Sequence, residues 1–136
     1  MSSVHSRFAS ISSQPLDAAA IEALVLTSHH GALVTFRGVV RNHDHGEAVD
    51  LLEYEAHPEA SGFLQACLDR IDLPAAAAHR VGSLRVGDIA LVAVVAAAHR
   101  GEAFAACERL VDDIKSTVPI WKRQHLACGV TEWVGL

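Results

Sequence analysis

Ile89-Ala90-Leu91-Val92-Ala93-Val94-Val95-Ala96-Ala97, followed by Ala98-His99-Arg100 and then Gly101 to Thr117, is the stretch that decides the architecture. The first nine residues are uninterrupted apolar and rich in β-branched side chains. Such a run reads as a strand buried on both faces. From Gly101 the period changes. Phe104, Cys107, Val111 and Ile114 recur at helical spacing, and Pro119 stops the pattern. A buried strand thus feeds directly into a long helix. Gly31 to Val40 is a second hydrophobic, β-branched run and predicts a second buried strand.

Outward from these, Arg7 to Ile11 predicts a short first strand, and Leu16 to Thr27 a helix with Ile21, Leu24 and Val25 on one face. Asn42 to Gly46 reads as a polar turn. Ala48 to Tyr54 is the returning strand, expected antiparallel to the Gly31–Val40 strand. Pro58 to Ile71 predicts a second helix, Val81 to Leu84 a short strand, and Gly87 a turn. Ile120 to Leu126 and Val130 to Val134 suggest a closing hairpin around Gly129. Strands and helices mix without regular alternation, so the fold class is α+β, with three helices, a mixed or antiparallel sheet and a C-terminal hairpin. A single domain spanning residues 1–136 is expected at this length.

Composition narrows the function classes. The 51% hydrophobic content predicts a compact globule rather than a disordered chain. The longest apolar run is about half of what a membrane span needs. Residues 1–13 contain no apolar block of signal-peptide type, so a cytoplasmic location is expected. A net charge of −5 argues against a general nucleic-acid binder. Yet Arg100, Arg109, Lys115, Lys122 and Arg123 fall in one short region, which predicts a local cationic pocket for a small anion. Cys67, Cys107 and Cys128 are widely spaced and predict neither a disulfide framework nor a zinc site. Cys67 and Cys107 are expected in the core. The pairs His29-His30 and His43-Asp44-His45 lack the i, i+4 spacing of a helical metal site, so no metal is expected.

Lys115 and Lys122 are the only lysines in the chain, and they flank Pro119. Lysine loses its proton when desolvated or crowded by cations; arginine does not. Both lysines beside one proline therefore suggest proton-transfer or nucleophilic chemistry. Lys115 is expected on the margin of the Phe104–Val111 stripe, partly desolvated. The competing reading makes it a surface partner of Asp112. His99-Arg100 ends one buried strand where a helix begins, and Arg41-Asn42-His43 ends the other. Free backbone N–H groups at a helix start, with arginine forks, suit phosphate.

Gly31-Ala32-Leu33-Val34-Thr35-Phe36-Arg37-Gly38-Val39-Val40-Arg41-Asn42-His43 resembles the signature strand of the large, catalytic subunit of molybdopterin synthase. Leu52 to Ala56, His79-Arg80-Val81-Gly82, Ala98-His99-Arg100, Val118 to Arg123 and Trp133-Val134-Gly135 follow in that family's order. The resemblance implies an α/β-hammerhead type of fold, a homodimer, and a heterotetramer with two small ubiquitin-like sulfur-carrier subunits. It implies that the carrier's C-terminal Gly-Gly thiocarboxylate delivers sulfur to cyclic pyranopterin monophosphate, giving the dithiolene of molybdopterin in molybdenum cofactor biosynthesis. No resident cofactor or metal is implied. By the same resemblance Lys115 takes the position of the key catalytic lysine and Lys122 that of a second one. Arg41, His99 and Arg100 take anion-binding positions, His99 and Arg100 across the dimer. Phe36 and Val111 match pocket walls; Arg123 and Gln124 continue the lysine loop; Val39 and Val40 approach substrate through their backbone. Gln124 stands where relatives often carry Glu, Val39 where some carry Lys, and the region before His79 is shorter than usual. Two other readings stay open on the residues alone: a non-catalytic module that binds a carrier tail or a small phosphorylated ligand, and a phosphate-ester hydrolase.

Overall fold

The structure is a computed structural model that describes residues 7–41, 43–44, 47–126 and 131–135. In chain order the elements are β1 (Arg7–Ser12), α1 (Ala18–Val25), β2 (Ala32–Val39), β3 (His43–Asp44), β4 (Glu47–Ala56), α2 (Ala60–Asp69), β5 (Ala75–Arg80), β6 (Gly82–Arg85), β7 (Ile89–Ala97), α3 (Arg100–Thr117), β8 (Ile120–Leu126) and β9 (Thr131–Gly135). They form two sheets. The first has the order β1-β5-β7-β2, with β1 and β5 parallel and the other pairs antiparallel. The second has the order β3-β4-β8-β9, and β6 also pairs with β4. This is the mixed and antiparallel α+β arrangement that the residue pattern predicts.

β7 is the centre of the first sheet and is buried from Ala90 to Ala97. Its side chains alternate between two packed layers, as the strand period requires. Val92, Val94 and Ala96 face α1, with Ala76 of β5. Leu91, Ala93 and Val95 face the opposite layer with Ala75 and Ala77, against Ala106, Cys107 and Leu110 of α3 and Leu64 and Leu68 of α2. The two cysteines are core thiols there, and burial raises the pKa of each above the ordinary thiol value.

The structure corrects three expectations and gives an element to one stretch that the residue pattern left unassigned. β4 is not the antiparallel partner of β2. It pairs with β8 and β6, and β2 pairs with β7 along its whole length. The reason lies in the side chains. Leu52 and Tyr54 are buried while Glu53 and Glu55 are not, so β4 suits a sheet covered on one face only. The two fully apolar runs pair with each other instead. Second, Ala75 to Ala78, which has no β-forming bias, is a strand. It is wedged between β1 and β7, and tertiary pairing overrides local propensity. Third, Phe104 leaves the apolar stripe of α3 and is 61% exposed. The buried face is Ala103, Ala106, Cys107, Leu110, Val111 and Ile114. Small residues at its N-terminal end let α3 lie close on the alanines of β7, where a phenyl ring has no room. Fourth, the first helix is shorter than Leu16–Thr27, because Asp17 caps it by accepting a hydrogen bond from the Ala20 N–H at 3.2 Å.

The hairpin of β8 and β9 forms as predicted, with Lys122 opposite Val134 and Gln124 opposite Glu132; its expected turn at Gly129 lies outside the described residues. Asn42, His45 and Gly46 of the expected polar turn lie outside them too, and between them the two residues of β3 pair with Ala48 and Glu47. No helix is long and apolar enough to cross a membrane among the described residues.

Candidate active site

The end of β2, the start of β7 and the last turn of α3 meet β4 and β8 of the second sheet around a cavity of about 420 Å³. α3 ends where Val118 adopts extended backbone (ψ 123°), the conformation that a following proline demands. Pro119 thereby turns the chain straight into β8. Lys115 in the last helical turn and Lys122 on the returning strand both line the cavity. This is the juxtaposition that the two lysines flanking Pro119 suggested.

Strand alternation selects the remaining groups. On β8, Lys122 and Gln124 line the cavity and Arg123, between them, does not. Lys122 and Gln124 stand opposite Tyr54 and Leu52 of β4, which line it as well. On β2 the register slips between Gly38 and Val39, where a bulge re-aims the strand end. Phe36, Arg37, Gly38, Val39, Val40 and Arg41 all reach the cavity as a result. A Cβ on Gly38 would stand 3.4 Å from both Leu91 and the Phe36 ring. The absence of a side chain there keeps this wall flat.

The electrostatics are one-sided. Arg37, Arg41, Lys115 and Lys122 line the cavity, and none of the described residues lining it is acidic. The chain as a whole carries a net charge of −5. Cations gathered into a concave, partly dry site in an otherwise acidic protein select a small anion. Lys115 is an exposed residue on the rim rather than the partly desolvated one that the stripe suggested, because Phe104 and Val111 do not enclose it. Gln124 is 1% exposed and forms part of the floor.

His99 and Arg100 are not in this cavity. His99 is the N-cap of α3 and Arg100 its first residue, both exposed. Lys115 is 15 positions along the same helix, about 22 Å away at 1.5 Å per residue. Within one protomer the two clusters are separate. Val111 lines a neighbouring groove between β2 and α3, with Val34, Phe104, Glu108 and Asp112; Phe36 lines both groove and cavity.

Three lining residues were not singled out by their chemistry: Arg37, Tyr54 and His79. His79 is 2% exposed. Its Nδ1 is 2.8 Å from the Arg80 carbonyl oxygen, so Nδ1 carries the proton and donates. The edge of the Tyr54 ring packs against it at a centroid distance of 5.0 Å. Burial, and secondarily the Lys115 charge, lower its pKa from 6.5 to about 4. Burial also raises the pKa of the Tyr54 phenol. The signal for His79 was available in the alternation of Ala75, Ala77 and His79, but only once β5 is recognised as a strand. Among the described residues there is no group of three His, Cys, Asp or Glu side chains able to hold a metal ion.

Fold and cavity together define an α+β protein built to hold a small anionic molecule beside two lysines. The chain belongs to the MoaE protein family, whose pattern it matches over residues 11–117. It is 39% identical to a molybdopterin synthase catalytic subunit of Nostoc sp. over 129 residues, covering 90% of this chain and 78% of the relative. A molybdopterin synthase catalytic subunit of Pyrococcus abyssi is 42% identical over 108 residues, covering 75% of this chain and 73% of the relative. Among solved structures, molybdopterin synthase from Staphylococcus aureus superposes with a TM-score of 0.87 at 32% identity, covering 93% of this chain and 96% of that one.

Proposed function

We propose that this chain is the catalytic subunit of a molybdopterin synthase. It transfers sulfur from the C-terminal Gly-Gly thiocarboxylate of a small ubiquitin-like carrier to cyclic pyranopterin monophosphate, forming the dithiolene. The observation that carries this reading is a cavity in which both lysines of the chain meet two arginines and, among the described residues, no acidic side chain. An anionic substrate and an anionic sulfur donor must both be drawn there, and cations that are already in place stabilise charge as it shifts between them.

In this reading Lys115 on the rim contacts the terminal thiocarboxylate and handles protons. Lys122 and Arg41 hold the phosphate. Val39 and Val40 approach the substrate along the bulged strand end, and Gln124 closes the floor. In each of two successive deliveries the thiocarboxylate sulfur bonds to a pterin side-chain carbon beside the cyclic phosphate. The carbon–oxygen bond at that carbon breaks, and water cleaves the acyl–sulfur bond to return the carrier as a carboxylate. The groove between β2 and α3, walled by Phe36 and Val111 and leading to the cavity, accommodates the extended carrier tail. His99 and Arg100 complete the anion site from a second protomer, so the working assembly is a homodimer with two carriers. Arg123 supports the lysine strand from its opposite face. No resident metal or cofactor is required.

The test is reconstitution. Purified protein, thiocarboxylated carrier and cyclic pyranopterin monophosphate are mixed, and the product is oxidised to a fluorescent pterin. Dithiolene formation is expected. Carrier binding without product would overturn the catalytic reading and leave a tail-binding module.

A further inference from the structure

The cavity has a rim and a floor of opposite character. Arg37, Arg41 and Lys115 are exposed residues at its margin and can only donate hydrogen bonds. His79 lies at the floor, almost fully buried. Its Nδ1–H is committed to the Arg80 carbonyl, which leaves Nε2 as a lone-pair acceptor. Among the described residues the ring's one hydrogen bond is that of Nδ1, and Nε2 opens on the cavity that His79 lines. The Tyr54 ring and the neighbouring main chain fix the plane of the imidazole. An acceptor held in a fixed plane at the wall of a cavity is available to a donor that a ligand brings.

We infer that His79 is a substrate-positioning residue whose Nε2 accepts a hydrogen bond from an N–H group of the pterin ring, setting the ring in the floor of the cavity while the phosphate stays at the cationic rim. This rests on the sulfur-transfer reading for the identity of the ligand. The chemistry decides the orientation. A lone pair at the floor repels a phosphate oxygen and attracts an N–H donor, and a pterin carries such donors on its pyrimidine ring and exocyclic amine. With its pKa at about 4, His79 is unprotonated near neutral pH and keeps that lone pair. The cationic rim cannot distinguish a pterin phosphate from any other phosphate; the acceptor at the floor can.

Two variants separate this role from a structural one. Asn at position 79 retains an N–H near the Nδ1 position, able to reach the Arg80 carbonyl, but places no acceptor at the depth of Nε2. Gln places its amide oxygen there. The measurements are thermal melting, the affinity for cyclic pyranopterin monophosphate by intrinsic pterin fluorescence, and competition by inorganic phosphate. His79→Asn is expected to weaken pterin binding roughly tenfold, the usual consequence of leaving one donor unpaired, with phosphate competition unchanged. His79→Gln is expected to remain within about threefold of wild type. Equal losses in both variants, a parallel loss of phosphate affinity, or wild-type binding by His79→Asn would overturn the assignment. Wild-type protein that binds the pterin but forms no dithiolene would overturn sulfur transfer and leave the His79 contrast to be decided by binding alone. Wild-type protein that does not bind the pterin would overturn both.

Discussion

Acidification should destabilise this protein at His79 by an amount that its lowered pKa sets. Its folded pKa of about 4 lies below the ordinary 6.5. The unfolded chain therefore binds more protons at this site throughout that window, and stability falls as pH falls. Above 6.5 neither state is protonated and the full stability is present; below about 4 both are, and the loss is complete. The complete loss is about 3 kcal/mol at 1.36 kcal/mol per pKa unit, and about 2 kcal/mol is already lost near pH 5. For a chain of this size that is roughly 8 °C in melting temperature. Tyr54 beside the ring does not offset it, because burial raises the pKa of its phenol. The assay is denaturant or thermal unfolding of wild type and His79→Gln at a fixed protomer concentration, from about pH 7.5 to about pH 4.5. The two proteins share every other residue, so the difference between the curves isolates His79. His79→Gln is expected to lose about 2 kcal/mol less than wild type between neutral pH and about pH 5. Parallel curves would refute the claim that His79 is held neutral by burial.

Lys115 is exposed on the rim, so Lys115→Ala should change stability by no more than about 0.5 kcal/mol, while Lys115→Arg should fold and bind carrier yet lose more than about tenfold in single-turnover product formation. Near-normal turnover by the arginine variant would reduce Lys115 to a fixed charge. Arg41→Ala should weaken pyranopterin binding by about 1.5–3 kcal/mol without affecting carrier affinity, measured by titration of each ligand separately. Light scattering at micromolar protomer concentration should give a dimer, and mixing inactive Lys115→Ala with inactive Arg100→Ala protomers should restore activity in the hybrid if, as proposed, each cavity draws His99 and Arg100 from the other chain. Gly82 opens β6 with φ +97°, so Gly82→Ala should cost about 1 kcal/mol in chemical denaturation.

The order of residues by itself determined the parts of this protein that depend on local pattern. Nine consecutive apolar residues from Ile89 to Ala97 must be buried on both faces, and a change to helical spacing before Pro119 must give a helix that stops there. The two lysines follow from the same logic: a helix end, a proline and a returning strand keep Lys115 and Lys122 together whatever the rest of the chain does. Core placement of Cys67 and Cys107 was legible for the same reason. What the sequence left open depends on non-local pairing. Four alanines carry no strand signal, and only the flanking β1 and β7 make β5 a strand and aim His79 into the cavity. β2 and β4 are neighbours in sequence, yet they enter different sheets, because the partner of a strand is chosen by which faces need covering and not by proximity along the chain. Phe104 carries the strongest apolar signal in α3 and is exposed, while small alanines take the contact, since close packing rewards fit over hydrophobicity alone. The charge of the cavity is likewise a tertiary property: Arg37 and Arg41 lie more than seventy residues from Lys115, and only the pairing of β2 with β7 beneath α3 brings them to one wall.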